Sequence, residues 1–310
     1  MPIRLRGGRH YSWRATFEKV DETTAQSECE HTDKPQFSKG AYMRLNFIKM
    51  HGAGNDYIYF DCLIKPIPEP EKLAVMLSKR HFSVGADGIV LICPSKIADA
   101  KMRIFNADGS EAKMCGNAAR CVGKLLYENN FVHRSRIRLE TESGICELFL
   151  MIKNGKVEKI SVDMGRATVG ELFFHDVCGQ KYEMREINVG NDHQVTFVPD
   201  VDFLDLDKIG RHFEKNPRFL DGVNTEFCEI LGKNHLKIRV FERGSGETLA
   251  CGTGACASAL AGIAAGYCDF GRLIKISMRG GELAVTCDES NGVRLLGDAV
   301  KVFDGSIEID

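Results

Sequence analysis

Arg103-Ile104-Phe105-Asn106-Ala107-Asp108-Gly109-Ser110-Glu111-Ala112-Lys113-Met114-Cys115-Gly116-Asn117 has a second version further along the chain, Arg239-Val240-Phe241-Glu242-Arg243-Gly244-Ser245-Gly246-Glu247-Thr248-Leu249-Ala250-Cys251-Gly252-Thr253. Phe, Glu and the Cys-Gly pair hold the same places in both, at an offset of 136 residues (115 to 251). The same offset carries Gly54-Asn55-Asp56 onto Gly190-Asn191-Asp192. A looser echo joins Arg80-His81-Phe82 and Gly85-Ala86-Asp87 to Arg211-His212-Phe213 and Gly222-Val223-Asn224, at offsets of 131 and 137. Four signals in one order predict a duplication into two like domains; a solenoid needs about three or more short repeats.

The composition agrees. A chain of 310 residues accommodates two ordinary domains, and 44% apolar with 27% charged residues is globular. A net charge of −2 gives no electrostatic attraction to nucleic acid or an anionic membrane, so the expected partner is a small molecule. No apolar run is long enough to span a bilayer. The 12 cysteines include no C-x-x-C pair, and no apolar signal core opens the chain, which predicts reduced thiols in the cytoplasm and no structural zinc.

Residues 1–42 are polar and without periodicity and are expected to be a disordered extension. Arg4, Arg6, Arg9 and Arg14 suggest a transit segment, against which the acidic residues after them count, and a start upstream of Met43 is an equal alternative. Strands are expected over 45–50 and 57–60 with a turn over 51–56, where Asn55 is either a recognition group or a left-handed turn former. A helix is expected over 69–78 with Pro70 in its first turn, then a strand over 84–93. Strands follow over 136–151 and 157–163 around Asn154-Gly155, and over 273–278, 283–287 and 293–302. Ala118, Ala119, Val122, Leu125 and Leu126 recur at helical spacing, and 255–265 is nearly all small residues. Each half thus runs strand, loop, cysteine, central helix, with the cysteine at a helix N-terminus.

A helix N-terminus favours a thiolate and presents free backbone N–H groups to a carboxylate. Two such turns related by a pseudo-twofold axis place two thiols at one cleft. One thiol can then remove an α-proton while the other delivers a proton to the opposite face, inverting the centre without a cofactor. Cys62, Cys93, Cys121, Cys146, Cys178, Cys228, Cys256, Cys268 and Cys287 are read as packing residues. Glu111 and Glu247 are either ordinary acids or loop clamps on backbone N–H groups, and His51 and His193, beside the Gly-Asn turns, are candidates to help ionise a thiol.

The chain resembles the diaminopimelate epimerase family throughout 43–310. The likeness is carried by Phe47-Ile48-Lys49-Met50-His51-Gly52-Ala53-Gly54-Asn55-Asp56, by Asn106 through Glu111 with Cys115-Gly116-Asn117, and by Glu242 through Glu247 with Cys251-Gly252-Thr253-Gly254. The resemblance implies two pseudo-symmetric α/β domains, each a mixed sheet wrapped around a central helix, spanning 43–160 plus 298–310, and 161–297. It implies an isomerase that interconverts LL- and meso-diaminopimelate with Cys115 and Cys251 as acid/base thiols, His193 and Glu242 beside them, and no cofactor or metal. Gly116, Asn117, Gly252 and Thr253 would hold the reacting carboxylate. Asn55, Asn106, Asn191, Asn224, Glu242 and Arg243 would surround the substrate. A homodimer is left open. Asp192 and Asp298 stand where the family commonly has proline. The alternatives are a racemase of another amino acid, such as histidine, on the same scaffold, a thiol–disulfide oxidoreductase, which the lack of C-x-x-C opposes, and an inactive binding module, which retention of both cysteines opposes.

Overall fold

The structure, a computed structural model, describes residues 43–309, so the expected extension at 1–42 lies outside the described residues. The first half runs β1 (Met43–Gly52), β2 (Asn55–Asp61), α1 (Pro70–Leu77), β3 (Gly88–Cys93), β4 (Ala100–Asn106), β5 (Glu111–Ala112), α2 (Gly116–Glu128), β6 (Arg136–Thr141), β7 (Gly144–Lys153) and β8 (Lys156–Arg166). It continues through β9 (Thr168–Val177), β10 (Gln180–Asn188), β11 (Asp192–Phe197), α3 (Leu206–Glu214), β12 (Asn224–Gly232), β13 (His235–Glu242), β14 (Gly246–Thr248) and α4 (Gly252–Ala264). The last strands are β15 (Ile274–Met278), β16 (Gly281–Cys287), β17 (Gly292–Gly297) and β18 (Val300–Ile309).

Strand pairing makes one mixed network, β18-β1-β2-β3-β4-β6-β7-β8-β17-β16-β15-β13-β12-β11-β10-β9, with β5 on β4 and β14 on β13. Reversing that order exchanges the halves, which is the mark of a pseudo-twofold axis passing between β8 and β17. The register keeps the offset of 136: Tyr57 faces Gly88 across parallel β2–β3, and His193 faces Asn224 across parallel β11–β12. The central helices obey it too, α2 beginning at Gly116 and α4 at Gly252. Residues 160 and 161, where the sequence suggests a division, lie inside β8, which pairs with β7 on one side and β17 on the other.

Strand alternation sends successive residues to opposite faces of each half-sheet. On the inner face, Ala118, Val122 and Leu125 of α2 pack with Ile104, Ile137, Leu148 and Ile160. Around α4, Ala255, Ala259 and Leu260 pack with Val195, Ile238, Ile276 and Val285. On the outer faces, α1 rests on Phe60 and Phe105, and α3 on Phe227 and Phe241. Burial on nearly every side is why α4 is built of small residues: a methyl on Gly262 would lie 2.9 Å from Cys268 Sγ.

Several expectations change. In the β1–β2 hairpin the left-handed residues are Ala53 (φ 53°) and Gly54 (φ 81°), so Asn55 is free to begin a strand and is not the turn former. The Arg-His-Phe echo is not structural, since Arg80, His81 and Phe82 follow α1 whereas Arg211, His212 and Phe213 lie within α3. The strand expected over 84–93 begins at Gly88 because Gly85 turns the chain at φ 74°. The single strand expected over 293–302 is two, β17 and β18, and β18 leaves to pair with β1.

Candidate active site

Cys115 and Cys251 are the N-cap residues of α2 and α4, both in extended backbone conformation. The two helix starts meet on one side chain: a methyl on Gly116 would lie 3.2 Å from Leu295 Cδ2, and one on Gly252 would lie 3.0 Å from the same atom. The duplicated loops that deliver the cysteines are pinned identically. Arg103 donates Nε and Nη2 to Glu111 at 2.7 and 2.8 Å, and Arg239 donates the same atoms to Glu247 at 2.7 and 2.8 Å. These glutamates therefore clamp their loops through arginine forks rather than through backbone N–H groups.

On the first side, the Cys115 thiol donates to Asn55 Oδ1 at 3.4 Å, and Asn117 Nδ2 donates to the same oxygen at 3.2 Å. Asn55 is oriented by its own donation to Asp87 at 2.8 Å, and Asn117 accepts from the fully buried Arg120 at 2.9 Å. Burial pushes the Cys115 thiol up, opposed by the N–H groups of Ala118 and Asn117 and by the Tyr57 hydroxyl. His51 is not in this group, as its Nδ1 accepts from Gly54 N at 3.3 Å inside the hairpin. Asn106 ends β4 and donates to Ser110 Oγ at 3.0 Å.

The second side is acidic. Glu242 ends β13, accepts a hydrogen bond from Thr248 Oγ1 and is hydrogen-bonded to Cys251; burial pushes its carboxyl above the usual range against both. Cys251 Sγ accepts from Gly254 N at 3.4 Å and lies 3.4 Å from Thr253 Oγ1. Burial, and then the negative charges of Glu242 and Glu226, push this thiol well above its ordinary value. His193 is fully buried, with Nδ1 2.8 Å from Glu226 Oε1 and Nε2 3.1 Å from Asn191 Oδ1. Asn224 Oδ1 accepts from Arg243 N at 2.8 Å, and the exposed Arg243 guanidinium donates to Asp221 O at 3.3 Å. The thiolate character expected from the helix ends is thus opposed at both cysteines, where desolvation outweighs the helix N–H groups.

Tyr57, Asp87, Arg120 and Glu226 were missed as site residues. Tyr57 was within reach, because the offset of 136 places it opposite His193. Glu226 was not, because the same offset pairs it with Val90. Among the described residues no three His, Cys, Asp or Glu side chains are grouped as metal ligands, and no helix is long and apolar enough to cross a membrane.

The sequence profile of the diaminopimelate epimerase family matches residues 47–170 and 186–302. The chain belongs to that family. A diaminopimelate epimerase of Parabacteroides distasonis is 47% identical over 267 residues, covering 86% of this chain and 98% of its own. One of Methanococcus maripaludis is 43% identical over 282 residues, covering 86% and 100%. In fold, this diaminopimelate epimerase family member is similar to a probable proline racemase from Agrobacterium radiobacter K84, with a TM-score of 0.68, 17% identity and coverage of 86% and 93%. It is also similar to a Bacillus anthracis phenazine biosynthesis protein of the PhzF family, with a TM-score of 0.64, 18% identity and coverage of 86% and 99%. These two likenesses bear out the mixed α/β fold expected of the family.

Proposed function

We propose that this chain interconverts LL- and meso-diaminopimelate in lysine and peptidoglycan precursor synthesis, a cytoplasmic role, by moving one proton off and one proton onto a single α-carbon. The observation that carries this is the pair of N-cap cysteines on two pseudo-symmetric helices whose first residues abut one leucine. A carboxylate lying between the helix starts takes hydrogen bonds from the N–H groups around Gly116, Asn117, Gly252 and Thr253, and both helix dipoles stabilise the charge that builds on it as the α-proton leaves. One cysteine, as thiolate, takes that proton; the other, as thiol, supplies its own to the opposite face. His193 and Glu242 stand beside the second thiol. Asn55, Asn106, Asn191, Asn224 and Arg243 are assigned to the rest of the substrate, where a guanidinium fork suits a second carboxylate. The cleft in this scheme lies between domains 43–160 plus 298–310 and 161–297.

Incubation with a panel of amino acids in deuterated water, read by mass spectrometry, tests the assignment. Deuterium entering diaminopimelate at the α-carbon, with conversion between the two isomers, is the expected result. Exchange into histidine or another monoamino acid, with diaminopimelate untouched, would replace the substrate by that of a sister racemase.

A further inference from the structure

The duplication supplies an internal control for each group near the thiols. At the offset of 136, His193 corresponds to Tyr57, Glu226 to Val90 and Glu242 to Asn106. Cys251 therefore has two acids and a histidine in places where Cys115 has a phenol, an alkyl group and an amide.

Glu226 is the least explained of these. Its side chain is fully buried on β12, Oε1 is 2.8 Å from His193 Nδ1, and Oε2 has no hydrogen-bond partner among the described residues. Leaving a carboxylate oxygen buried and unpaired is costly, so packing does not account for it. Its position is also made by sequence: a methyl on Gly254 would lie 2.7 Å from Oε1, so glycine in the first turn of α4 lets the carboxylate sit against the turn that begins at Cys251. With Asn191 Oδ1 accepting from His193 Nε2, that nitrogen carries a hydrogen, and Nδ1 is the atom that faces Glu226 Oε1. The charged groups that bear on Cys251 are Glu242 on β13 and Glu226 on β12, and His193 on β11 lies against Glu226.

We infer that Glu226 is a positioning residue for the epimerisation: through His193 and through its own charge against the first turn of α4 it holds Cys251 as the thiol, so that Cys251 begins the cycle as proton donor and Cys115 as base. This rests on the two-thiol scheme above. In the first half-cycle the α-proton passes to the Cys115 sulfur and the Cys251 S–H proton passes to the opposite face of the carbon. Cys115 is then a thiol and Cys251 a thiolate, and exchange with solvent restores the starting state.

The test uses Glu226→Gln and Glu226→Val, the latter installing the residue at the pseudo-equivalent position. Iodoacetamide alkylation of each substrate-free protein is followed across pH at Cys115 and Cys251 by peptide mass spectrometry. Removal of one buried charge should speed Cys251 alkylation near neutral pH about tenfold and leave Cys115 within about twofold. In turnover, kcat should fall about tenfold or more with KM within about twofold, the mark of a group that acts in the chemical step and not on substrate binding. Unchanged Cys251 alkylation in both variants, or equal acceleration of both thiols, overturns the inference. If that result came with normal diaminopimelate turnover, it would leave the proposed function standing.

Discussion

Cys115 and Cys251 share one backbone role and differ in what surrounds them. The first is faced by Asn55 and Tyr57, and the second by Glu242 and Glu226. Both thiols are raised above the ordinary thiol value, so the thiolate needed as base becomes more abundant as pH rises. The free-enzyme profile, kcat/KM against pH, should therefore still be climbing at pH values where an exposed cysteine is already half ionised. In the same protein, iodoacetamide at neutral pH should label the exposed Cys178 ahead of either active thiol. A profile flat from neutral pH upward would contradict the assignment. At this scale the cysteines were legible because a Cys-Gly turn repeats with its flanks. Their proton affinities were not, because burial is a tertiary property that sequence flanks do not carry.

The loops that hold the cysteines are two copies of one clamp in different surroundings. In the Arg103–Glu111 fork the side chains are 34% and 30% exposed, whereas in the Arg239–Glu247 fork they are 5% and 15% exposed. Arg239 also donates to the carbonyls of Val201 at 2.8 Å and Leu204 at 2.6 Å, and Arg279 joins Glu247 at 3.0 Å. Arg103→Gln should accordingly cost about 1 kcal/mol or less in urea denaturation. Arg239→Gln, which leaves a nearly buried carboxylate and two carbonyls short of a donor, should cost roughly 3 kcal/mol. Equal losses would mean that surroundings do not matter to the clamp. Sequence periodicity found the central helices and most strands, since Ala118 to Leu126 and the small residues after Cys251 state their faces plainly. It passed over the β9–β10 hairpin, whose strand β9 keeps Leu172 and Phe174 on an exposed face and so lacks the apolar-in, polar-out signature.

At the scale of the molecule the two halves join through β8–β17 and through Leu295, which is fully buried between the starts of α2 and α4. Leu295→Ala should cost about 3 kcal/mol and lower kcat more than it raises KM, because the helix ends lose their common stop. A change in KM alone would show that Leu295 does not set their separation. Removing residues 1–42, which precede the family match, should leave kcat/KM within about twofold. The duplication was readable from an offset of 136, whereas the exchange of β18 back to β1 was not, because no local pattern specifies a strand's distant partner. Opposed thiols at one carbon have a direct isotopic signature. Each diaminopimelate isomer is incubated separately in deuterated water and sampled before equilibrium, with wild type, Cys115→Ala and Cys251→Ala. Two-thiol inversion predicts one solvent deuterium at the inverted carbon of the wild-type product, none in the remaining substrate, and no inversion by either variant. Product that retains the original hydrogen, deuterium entering substrate as fast as product, or near-normal inversion by either variant would contradict it.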